Sequence, residues 1–433
     1  MQRLGVPGSG NSREGPRISR RLLLGASGAA LLASGCGGPV GEGQDDRAVP
    51  PSGSGSGGAA GGPAAPSGAL GANFNEDPSD MRFAQLRDLS AGWLRGFLPM
   101  PETDEGPPAH QTAVSTLISA SKQGYGTILS LKFPYSGRAL PKAGSTLMAA
   151  ELRRVDKVAR AVMGTVDILV IGNEPFLETR RAERDGPAIN TFYEHVARHL
   201  VAYRKKHVGA RCRTRLYMGA LNHLDNPERR TGATRRWMEF VHETPEIEGV
   251  DIHPHVVSID AAQKYLDYVV PHLRGDQKFL VTEFSLVLKW RQHLRDAIPA
   301  PFAERYHMDP NTQVWDVLKA AVQNPFPQEK WNAFLAMSPW FHSSKHYLRD
   351  QVQKFRDTKK LAVATYGVVQ ADAMVKNIGP EKQPWLLNSL YANRTVEEQA
   401  NGTTGRNQEW CKDFRALQRR RDRRPIRTGA TAT

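Results

Sequence analysis

The amino-acid sequence predicts an α/β protein built as a single (β/α)8 TIM barrel, and three observations point to this fold. Short apolar runs alternate with longer amphipathic segments, as in βα units around a parallel sheet. Eight apolar runs fall between positions 71 and 369, which is the number that closes such a barrel. No linker or solenoid-length repeat interrupts positions 71–414, so we interpret them as one domain.

The predicted strands lie at positions 71–75, 92–97, 127–133, 166–175, 215–220, 249–255, 278–286 and 361–369. Most contain aliphatic and β-branched residues, whereas the first is short and polar. The amphipathic segments between them predict helices at positions 78–89, 149–163, 189–206, 235–243 and 261–273. Positions 289–357 carry further helical patches and several prolines. They predict a long insertion between strands seven and eight.

Residues 1–36 have the organisation of an export signal. Arginines precede an apolar stretch at positions 22–32, which is shorter than the roughly 20 residues of a membrane-spanning helix. Arg20 and Arg21 with their neighbours resemble a twin-arginine signal, and residues 33–36 resemble a bacterial lipobox. The resemblance implies that the signal is cut before Cys36 and that this thiol carries a lipid outside the cytoplasm. The alternative is an ordinary secretory signal with an incidental cysteine.

The segment that follows, positions 37–70, is dominated by Gly, Pro, Ala and Ser and has no aromatic residue. Such a composition buries too little apolar surface to offset chain entropy, so we expect a disordered tether. As a flexible coil it would reach about 30 Å. That reach would hold a folded domain off the surface of a membrane.

The chain ends in a basic segment at positions 415–433, and its formal net charge is +14 at pH 7. One interpretation of this segment is a solvated, frayed helix end that continues as a disordered tail. The other is a contact with anionic lipid or an acidic wall polymer, to which arginine clusters are drawn. Nucleic acid is not an expected partner, because export separates the chain from it.

Two cysteines remain once Cys36 is assigned to a lipid. Cys212 and Cys411 could pair in an oxidising compartment, or they could stay as buried free thiols. No Cys/His spacing typical of a zinc site occurs. The sequence predicts neither a metal nor a cofactor.

Two acidic residues stand at the ends of predicted strands. Glu174 ends the fourth run, VDILVIGNEP, and Glu283 follows the apolar core of the seventh, KFLVTEFSL. Because the carboxyl ends of all barrel strands meet at one mouth, we expect these side chains to converge. A pair of carboxylates that face one cleft is what cleavage of a glycosidic bond requires.

In these residues the chain resembles the clan A glycoside hydrolases, a superfamily of retaining (β/α)8 barrels. That clan has an Asn-Glu acid/base after strand four and a glutamate nucleophile after strand seven, which Asn173-Glu174 and Glu283 match. Arg95 matches an arginine at the end of strand two. The clan's His-x-Tyr pair on strand six is matched by His253 and departs from the pattern at His255.

The resemblance also implies roles for these residues. Glu174 would be the acid, with its pKa raised by apolar surroundings and by the second carboxylate. Glu283 would be kept ionised by Arg95, and His255 or Tyr366 would donate a hydrogen bond to it. Asn173 would contact the 2-hydroxyl group of the sugar.

The tryptophan that the clan has at the end of strand eight is absent, and Tyr366 or Gln370 stands nearby. The sugar would then stack on a different aromatic side chain. Trp340 is our first candidate for this role, and the others are Trp93, Trp290 and Trp385.

The function predicted from these residues is a retaining glycoside hydrolase or transglycosylase acting on β-linked glycans outside the cell membrane. A non-catalytic lipoprotein that binds a glycan or another solute on the same barrel is the alternative. A barrel hydrolase of another kind would need a different nucleophile or metal set, and the sequence contains no such pattern.

Overall fold

The computed structural model describes residues 66–74, 78, 81–209 and 212–419, and it confirms the predicted (β/α)8 barrel. Eight parallel strands pair in chain order, and the eighth pairs with the first to close the barrel. The strands are β1 Ala69–Asn73, β2 Trp93–Pro99, β3 Gly126–Lys132, β4 Ile168–Ile171, β5 Arg215–Asn222, β6 Ile247–His253, β7 Lys278–Val281 and β8 Leu361–Gly367. The predicted signal, Cys36 and the tether up to position 65 lie outside the described residues.

Helices follow the strands around the outside of the barrel. They are α1 Phe83–Asp88, α2 Thr112–Lys122, α3 Thr146–Val162, α4 Pro175–Glu178, α5 Arg181–Arg184, α6 Pro187–His207, α7 Gly232–Glu243, α8 Ile259–Val269, α9 Val287–Gln292, α10 Ala300–Arg305, α11 Val314–Gln323, α12 Gln328–Met337, α13 Pro339–His342, α14 Tyr347–Asp357, α15 Asp372–Val375 and α16 Gln408–Arg419. Short 3₁₀ turns occur at Met100–Asp104, Pro108–His110, Pro227–Arg229, Val270–His272 and Trp385–Leu387. Helices α9 to α14 form the long insertion between β7 and β8, as predicted.

Local sequence signals set several of these boundaries. The hydroxyl oxygen of Ser145 accepts a hydrogen bond from the first turn of α3, and that of Ser258 does the same for α8. The first helix was predicted from Pro78 but begins only at Phe83. Within the described part of the chain, no helix is both long enough and apolar enough to span a membrane.

Two strands end earlier than the apolar runs that predicted them. Strand β4 stops at Ile171 and β7 stops at Val281, so Glu174 and Glu283 lie in the loops just beyond. Strand β1 begins at Ala69, two positions before the predicted start, and its residues are fully buried. The ordered barrel therefore begins inside the segment predicted as a tether.

A separate apolar cluster fills the first part of the barrel interior. It contains side chains from the early positions of the strands, among them Ile128, Ile168 and Leu280, with Trp93 packed against it. Gly126 makes room for this tryptophan, because a Cβ atom at that position would lie 2.4 Å from the Trp93 ring. Because this end of the barrel interior is filled by apolar side chains, the polar side chains lie at the opposite end, where the strands have their carboxyl termini.

The end of the chain packs on the barrel more extensively than predicted. Helix α16 buries Trp410, Phe414 and Leu417, and it continues to Arg419. Arg415 was assigned to the disordered tail, but its guanidinium lies 2.6 Å from the Asp88 carboxylate and donates to the Asp88 carbonyl. The placement of position 415 in the tail was therefore wrong, because the amphipathic pattern of α16 extends through it.

The two cysteines inside the barrel domain are free thiols. Cys411 is buried in α16, where its thiol donates a hydrogen bond to the carbonyl of Leu390 at 3.1 Å. Burial raises the pKa of this thiol to about 12, so it is unreactive at neutral pH. Cys212 and Cys411 therefore do not form a disulfide bond in this structure.

Candidate active site

A strained turn after β4 carries Asn173 and Glu174 into the mouth of the barrel. Gly172 has φ +114°, and a Cβ atom there would lie 2.0 Å from the carbonyl oxygen of Gly219, so only glycine fits. Glu174 itself has φ 50° and ψ 53°, a left-handed conformation that is uncommon for a residue other than glycine. Strain of this kind is found preferentially where a side chain must be aimed at a functional site.

Glu174 and Glu283 face each other across one imidazole ring. The Nδ1 atom of His253 lies 3.4 Å from Glu174 Oε1 and 4.0 Å from Glu283 Oε1. The imidazole is fully buried, whereas the carboxylate side chains are 21% and 18% exposed. The structure therefore brings the two predicted acids together and leaves both accessible from the cavity.

Arg95 is the electrostatic centre of the site. Its side chain is fully buried, and its guanidinium donates to Glu283 Oε1 at 2.5 Å and to Asn173 Oδ1 at 2.5 Å. Further hydrogen bonds go to Asn73 Oδ1 and to the hydroxyl of Ser130. This one cation thus orients the predicted nucleophile and the predicted sugar-binding amide together.

A buried hydrogen-bond chain orients His253. The Thr282 hydroxyl donates to Asp251 Oδ2, so it accepts from His253 Nε2, which lies 2.8 Å away. Its backbone N–H donates to the other oxygen of Asp251. Nε2 therefore carries a proton, and Nδ1 is the ring atom that faces the two carboxylates. Nδ1 is buried and has no hydrogen-bond partner among the described residues.

The charges of the site shift the pKa values of its groups in opposite directions. Burial alone would raise the pKa of Glu283, but the His253 and Arg95 cations outweigh it and hold that pKa well below the ordinary value. Burial would lower the pKa of His253, but the charge of Glu283 and the close contact with the Glu174 carboxylate raise it. The prediction that Glu283 is kept ionised fits this arrangement.

The expected raised pKa of Glu174 was wrong for the free protein. Burial and the charge of Glu283 do raise it, but the close contact with His253 and the charge of that ring outweigh both and lower the net pKa. The sequence-based expectation considered the second carboxylate and not the imidazolium between the two acids. In the free protein these shifts favour the ionised carboxylate of Glu174 and the protonated imidazole of His253.

His255 is placed by a second hydroxyl group. Its Nδ1 lies 2.9 Å from Ser285 Oγ, which leaves Nε2 pointing at the acids, 3.6 Å from Glu283 Oε2 and 3.9 Å from Glu174 Oε1. The ring of Trp385 meets the His255 ring edge-on, with centroids 4.8 Å apart. Glu174, His253 and His255 together are a set of side chains that could hold a metal ion.

The acids open into a cavity of about 400 Å³. A cavity of this size is in the range of small-ligand sites. Other side chains that line it are Asn73, Phe97, Lys132, Phe284, Met374, Lys382, Trp385 and Asn388. Trp385, in the loop after β8, is the tryptophan that the structure places beside the acids. It follows β8 in the chain but does not stand at the end of the strand, where the tryptophan was expected.

Tyr366 does not belong to the site, contrary to the prediction. It is buried and packs on Phe284 and Trp410, with ring centroids 5.1 Å and 5.7 Å away. Its neighbours Thr365 and Gly367 line the cavity instead, because successive residues of a strand face opposite sides. Gln370 is also buried, and its amide bonds to Leu386 and Thr395.

The first tryptophan candidate, Trp340, was wrong as well. It is 7% exposed in the insertion and packs against Phe334, Phe341 and the ring of His293. Trp290 stacks on Trp410 in the same layer, and Trp93 belongs to the apolar cluster inside the barrel. These aromatic side chains stabilise the domain and do not reach the acids.

Several polar residues of the site were missed from the sequence. Asp251 stands two positions before His253 on β6, and Ser130 lies on β3, where its hydroxyl accepts a hydrogen bond from Arg95. Strand alternation could have found Asp251, because residues two apart face the same side. Thr282 directly precedes Glu283 and carried no signal of its own.

No protein-family model matches this chain, and no curated protein matches it. Among solved structures it is similar to a glucosidase from Croceicoccus marinus, with 10% identity, 81% of this chain and 66% of that chain covered, and a TM-score of 0.45. It is similar to an endo-1,4-beta-xylanase from Caldicellulosiruptor owensensis, with 11% identity over 80% and 96% of the chains and a TM-score of 0.45.

A beta-glucosidase from Exiguobacterium marinum matches with 7% identity over 82% of this chain and 98% of that chain, at a TM-score of 0.45. This chain spans just under two thirds of the Croceicoccus enzyme. At these identities and scores, the matches assign neither a substrate nor a reaction. The chemistry of this barrel is therefore to be derived from its own carboxylates and their neighbours.

Proposed function

We propose that this protein is a retaining glycoside hydrolase or transglycosylase that acts on β-linked glycans. The observation that carries the proposal is the placement of Glu174 and Glu283 on either side of His253 at one barrel mouth. Glu283 is hydrogen-bonded to a buried arginine and is the nucleophile. Glu174, which has no arginine partner among the described residues, is the acid/base.

The reaction follows double displacement. A carboxylate oxygen of Glu283 bonds to the anomeric carbon while the glycosidic C–O bond breaks, and Glu174 delivers a proton to the departing oxygen. Glu174 then removes a proton from water, or from the hydroxyl of an acceptor sugar. The incoming oxygen displaces Glu283, and the product keeps the configuration of the substrate.

His253 supplies the proton that Glu174 needs. Its Nδ1 lies 3.4 Å from Glu174 Oε1, and the charge of Glu283 is the main reason that its pKa is raised. When Glu283 bonds to the sugar it loses that charge, so His253 becomes a stronger acid. The proton is thus released toward Glu174 at the step that consumes it.

A retaining mechanism requires the two carboxyl groups to be about 5–5.5 Å apart. Glu174 Oε1 lies 3.4 Å and Glu283 Oε1 lies 4.0 Å from His253 Nδ1. The two Oε1 atoms therefore cannot be farther apart than the sum of these two distances. That limit includes the retaining separation and also part of the range of about 6.5–9.5 Å found in inverting enzymes, so retention rests on the clan A resemblance. The β-specificity rests on the resemblance of Asn173-Glu174 and Glu283 to the clan A pattern.

Two further groups are placed to hold the sugar. The Oδ1 atom of Asn173 accepts a hydrogen bond from Arg95, so the side-chain NH2 group is free to donate to the 2-hydroxyl of the sugar. Trp385 lines the cavity beside His255 and supplies an aromatic surface for the ring. These contacts strengthen when charge develops on the sugar ring in the transition state.

The test separates the two carboxylate roles. We expect Glu283→Gly to lose turnover, and small anions such as azide or formate to restore it by filling the vacated space. We expect Glu174→Ala to remain active on aryl glycosides with good leaving groups, which need no proton. Glu228→Ala, at an exposed glutamate in the 3₁₀ turn after β5, is the matched control.

The opposite pattern of rescue would reverse the two roles. If neither substitution changes activity on any of β-glucan, β-mannan, xylan and aryl glycosides, the proposal fails. Titration calorimetry of the same glycans against the wild-type protein would then test the alternative of a non-catalytic binding protein.

We also propose that the enzyme works outside the cytoplasm, held to a membrane by a lipid on Cys36. The support is the lipobox-like sequence before Cys36 and the tether-like composition that separates it from β1. Cys36→Ser should release the protein from the membrane fraction or leave the signal uncleaved. Equal membrane retention of the variant and the wild type would contradict a lipid anchor.

A further inference from the structure

Three ligand atoms converge at the barrel mouth in a way that the glycosidase chemistry does not require. They are Glu174 Oε1, His253 Nδ1 and His255 Nε2, and all lie within 4.8 Å of one another. The oxygen is 3.4 Å from His253 Nδ1 and 3.9 Å from His255 Nε2. In tetrahedral zinc sites, with bonds of about 2.0–2.1 Å, ligand atoms are separated by roughly 3.4 Å.

One of these atoms is a buried nitrogen that makes no hydrogen bond within the described residues. The His253 side chain is fully buried, and its Nδ1 makes no hydrogen bond among the described residues, although Glu174 Oε1 lies 3.4 Å away. Buried polar atoms in folded proteins are nearly always paired, so an orphan of this kind points to a ligand.

The outer nitrogens of both imidazoles are held by hydroxyl groups. His253 Nε2 donates to Thr282, whose hydroxyl donates to Asp251, and His255 Nδ1 lies 2.9 Å from Ser285 Oγ. Histidines that bind metals are oriented in this way, with the second ring nitrogen anchored and the first directed at the ion. The orientation of these two rings is therefore already suited to a metal.

The donor set selects the class of ion. Two imidazoles and one carboxylate suit zinc and other transition-metal dications, whereas magnesium and calcium prefer oxygen ligands. The nearby cation, Arg95, is bound to Glu283 and Asn173 and is not one of the converging groups.

We propose that Glu174, His253 and His255 bind one transition-metal dication of the zinc class, in competition with the glycan. The ion would be bound by Glu174 Oε1 and His253 Nδ1, and these are the two atoms between which the catalytic proton moves. The metal-bound protein therefore cannot protonate a leaving group. The binding of the ion does not depend on the proposed function. Only the predicted inhibition of the enzyme rests on the proposed function.

The test is calorimetric titration of the full-length protein with Zn²⁺ at neutral pH, with Co²⁺ as a spectroscopic probe. We expect one Zn²⁺ per chain, and intense visible absorption bands of Co²⁺ in a site of low coordination number. His255→Phe and Glu174→Gln should each weaken binding at least about 100-fold, and Ser285→Ala about 10-fold. His110→Phe, at an exposed histidine, is the control and should bind as the wild type does.

Absence of Zn²⁺ binding by the wild type would overturn the proposal. So would equal binding by the wild type and by His255→Phe, provided that circular dichroism shows the variant to be folded. Zn²⁺ should also raise the KM for a glycan without changing kcat. Zn²⁺ binding without any glycosidase activity would support the metal site and refute the proposed function. Glycosidase activity without Zn²⁺ binding would support the proposed function and refute the metal site.

Discussion

Removal of the buried Arg95 cation is the sharpest test of how this site is held together. Its guanidinium is fully buried and makes hydrogen bonds of 2.5 Å to both Glu283 and Asn173, with further bonds to Asn73 and Ser130. Arg95→Met keeps much of the side-chain volume and removes the charge. Glu283 is then a largely buried carboxylate that depends on the two histidines alone.

The expected loss of stability follows from this geometry. Breaking a buried ion pair by removing one partner costs about 3–5 kcal/mol. The Glu283 side chain is 18% exposed at the mouth, so water recovers part of that cost and we expect about 2–4 kcal/mol. In the double variant Arg95→Met/Glu283→Gln no charge is orphaned. Its loss should be smaller than the sum of the single losses by roughly 2 kcal/mol.

The assay is urea unfolding followed by tryptophan fluorescence, with the two single variants and the double variant measured together. Arg349→Met is the matched control, because its guanidinium pairs with Asp350 at the surface and is 43% exposed. It should change stability by no more than about 0.5 kcal/mol. An Arg95→Met protein as stable as the wild type, or additive losses in the double variant, would refute this account.

Two further predictions concern the cavity and the charges. Trp385→Ala should raise KM at least about 10-fold, whereas Trp340→Phe should leave KM unchanged and lower only the melting temperature, because Trp340 packs away from the acids. A Trp385→Ala enzyme with an unchanged KM would remove this residue from the sugar site. The pKa of Glu283 is lowered on folding, so its contribution to stability is present above the ordinary value of 4.5 and is lost as pH falls through the folded pKa. Below pH 4.5 the wild type should therefore lose free energy of unfolding more steeply than Glu283→Gln, and parallel curves from acid-dependent urea melts would contradict the shift.

The barrel and the identity of its two acids could be predicted from the sequence because both are properties of short segments. Apolar runs of the length of β4 and β7 predict buried strands, and a polar residue directly after such a run must lie near the mouth. Glu174, Glu283, Arg95 and His253 were placed on this reasoning, and the structure brings them within hydrogen-bonding or ion-pair distance of one another.

The errors have a common physical origin. Tyr366 was predicted to face the site, but a shift of one residue along a strand turns a side chain to the opposite face. Trp340 lies in the one-turn helix α13 and Trp385 in a short 3₁₀ turn. Neither element is long enough for a periodicity that would show which tryptophan packs inward and which reaches the mouth. Arg415 was placed outside the domain because its contact, Asp88, is more than 300 positions away in the chain.

By itself, then, the sequence determined which residue types stand at the ends of which strands, since strand and helix periods are read over a few positions. The tertiary structure alone decided what those residues do to one another. The net pKa of Glu174 is lowered because strands β4, β6 and β7 bring an imidazolium between two carboxylates. The three groups are about 30 to 110 residues apart in the chain but only a few ångströms apart in space. At such short distances the electrostatic interaction energy changes steeply with distance, so only the tertiary structure determines it.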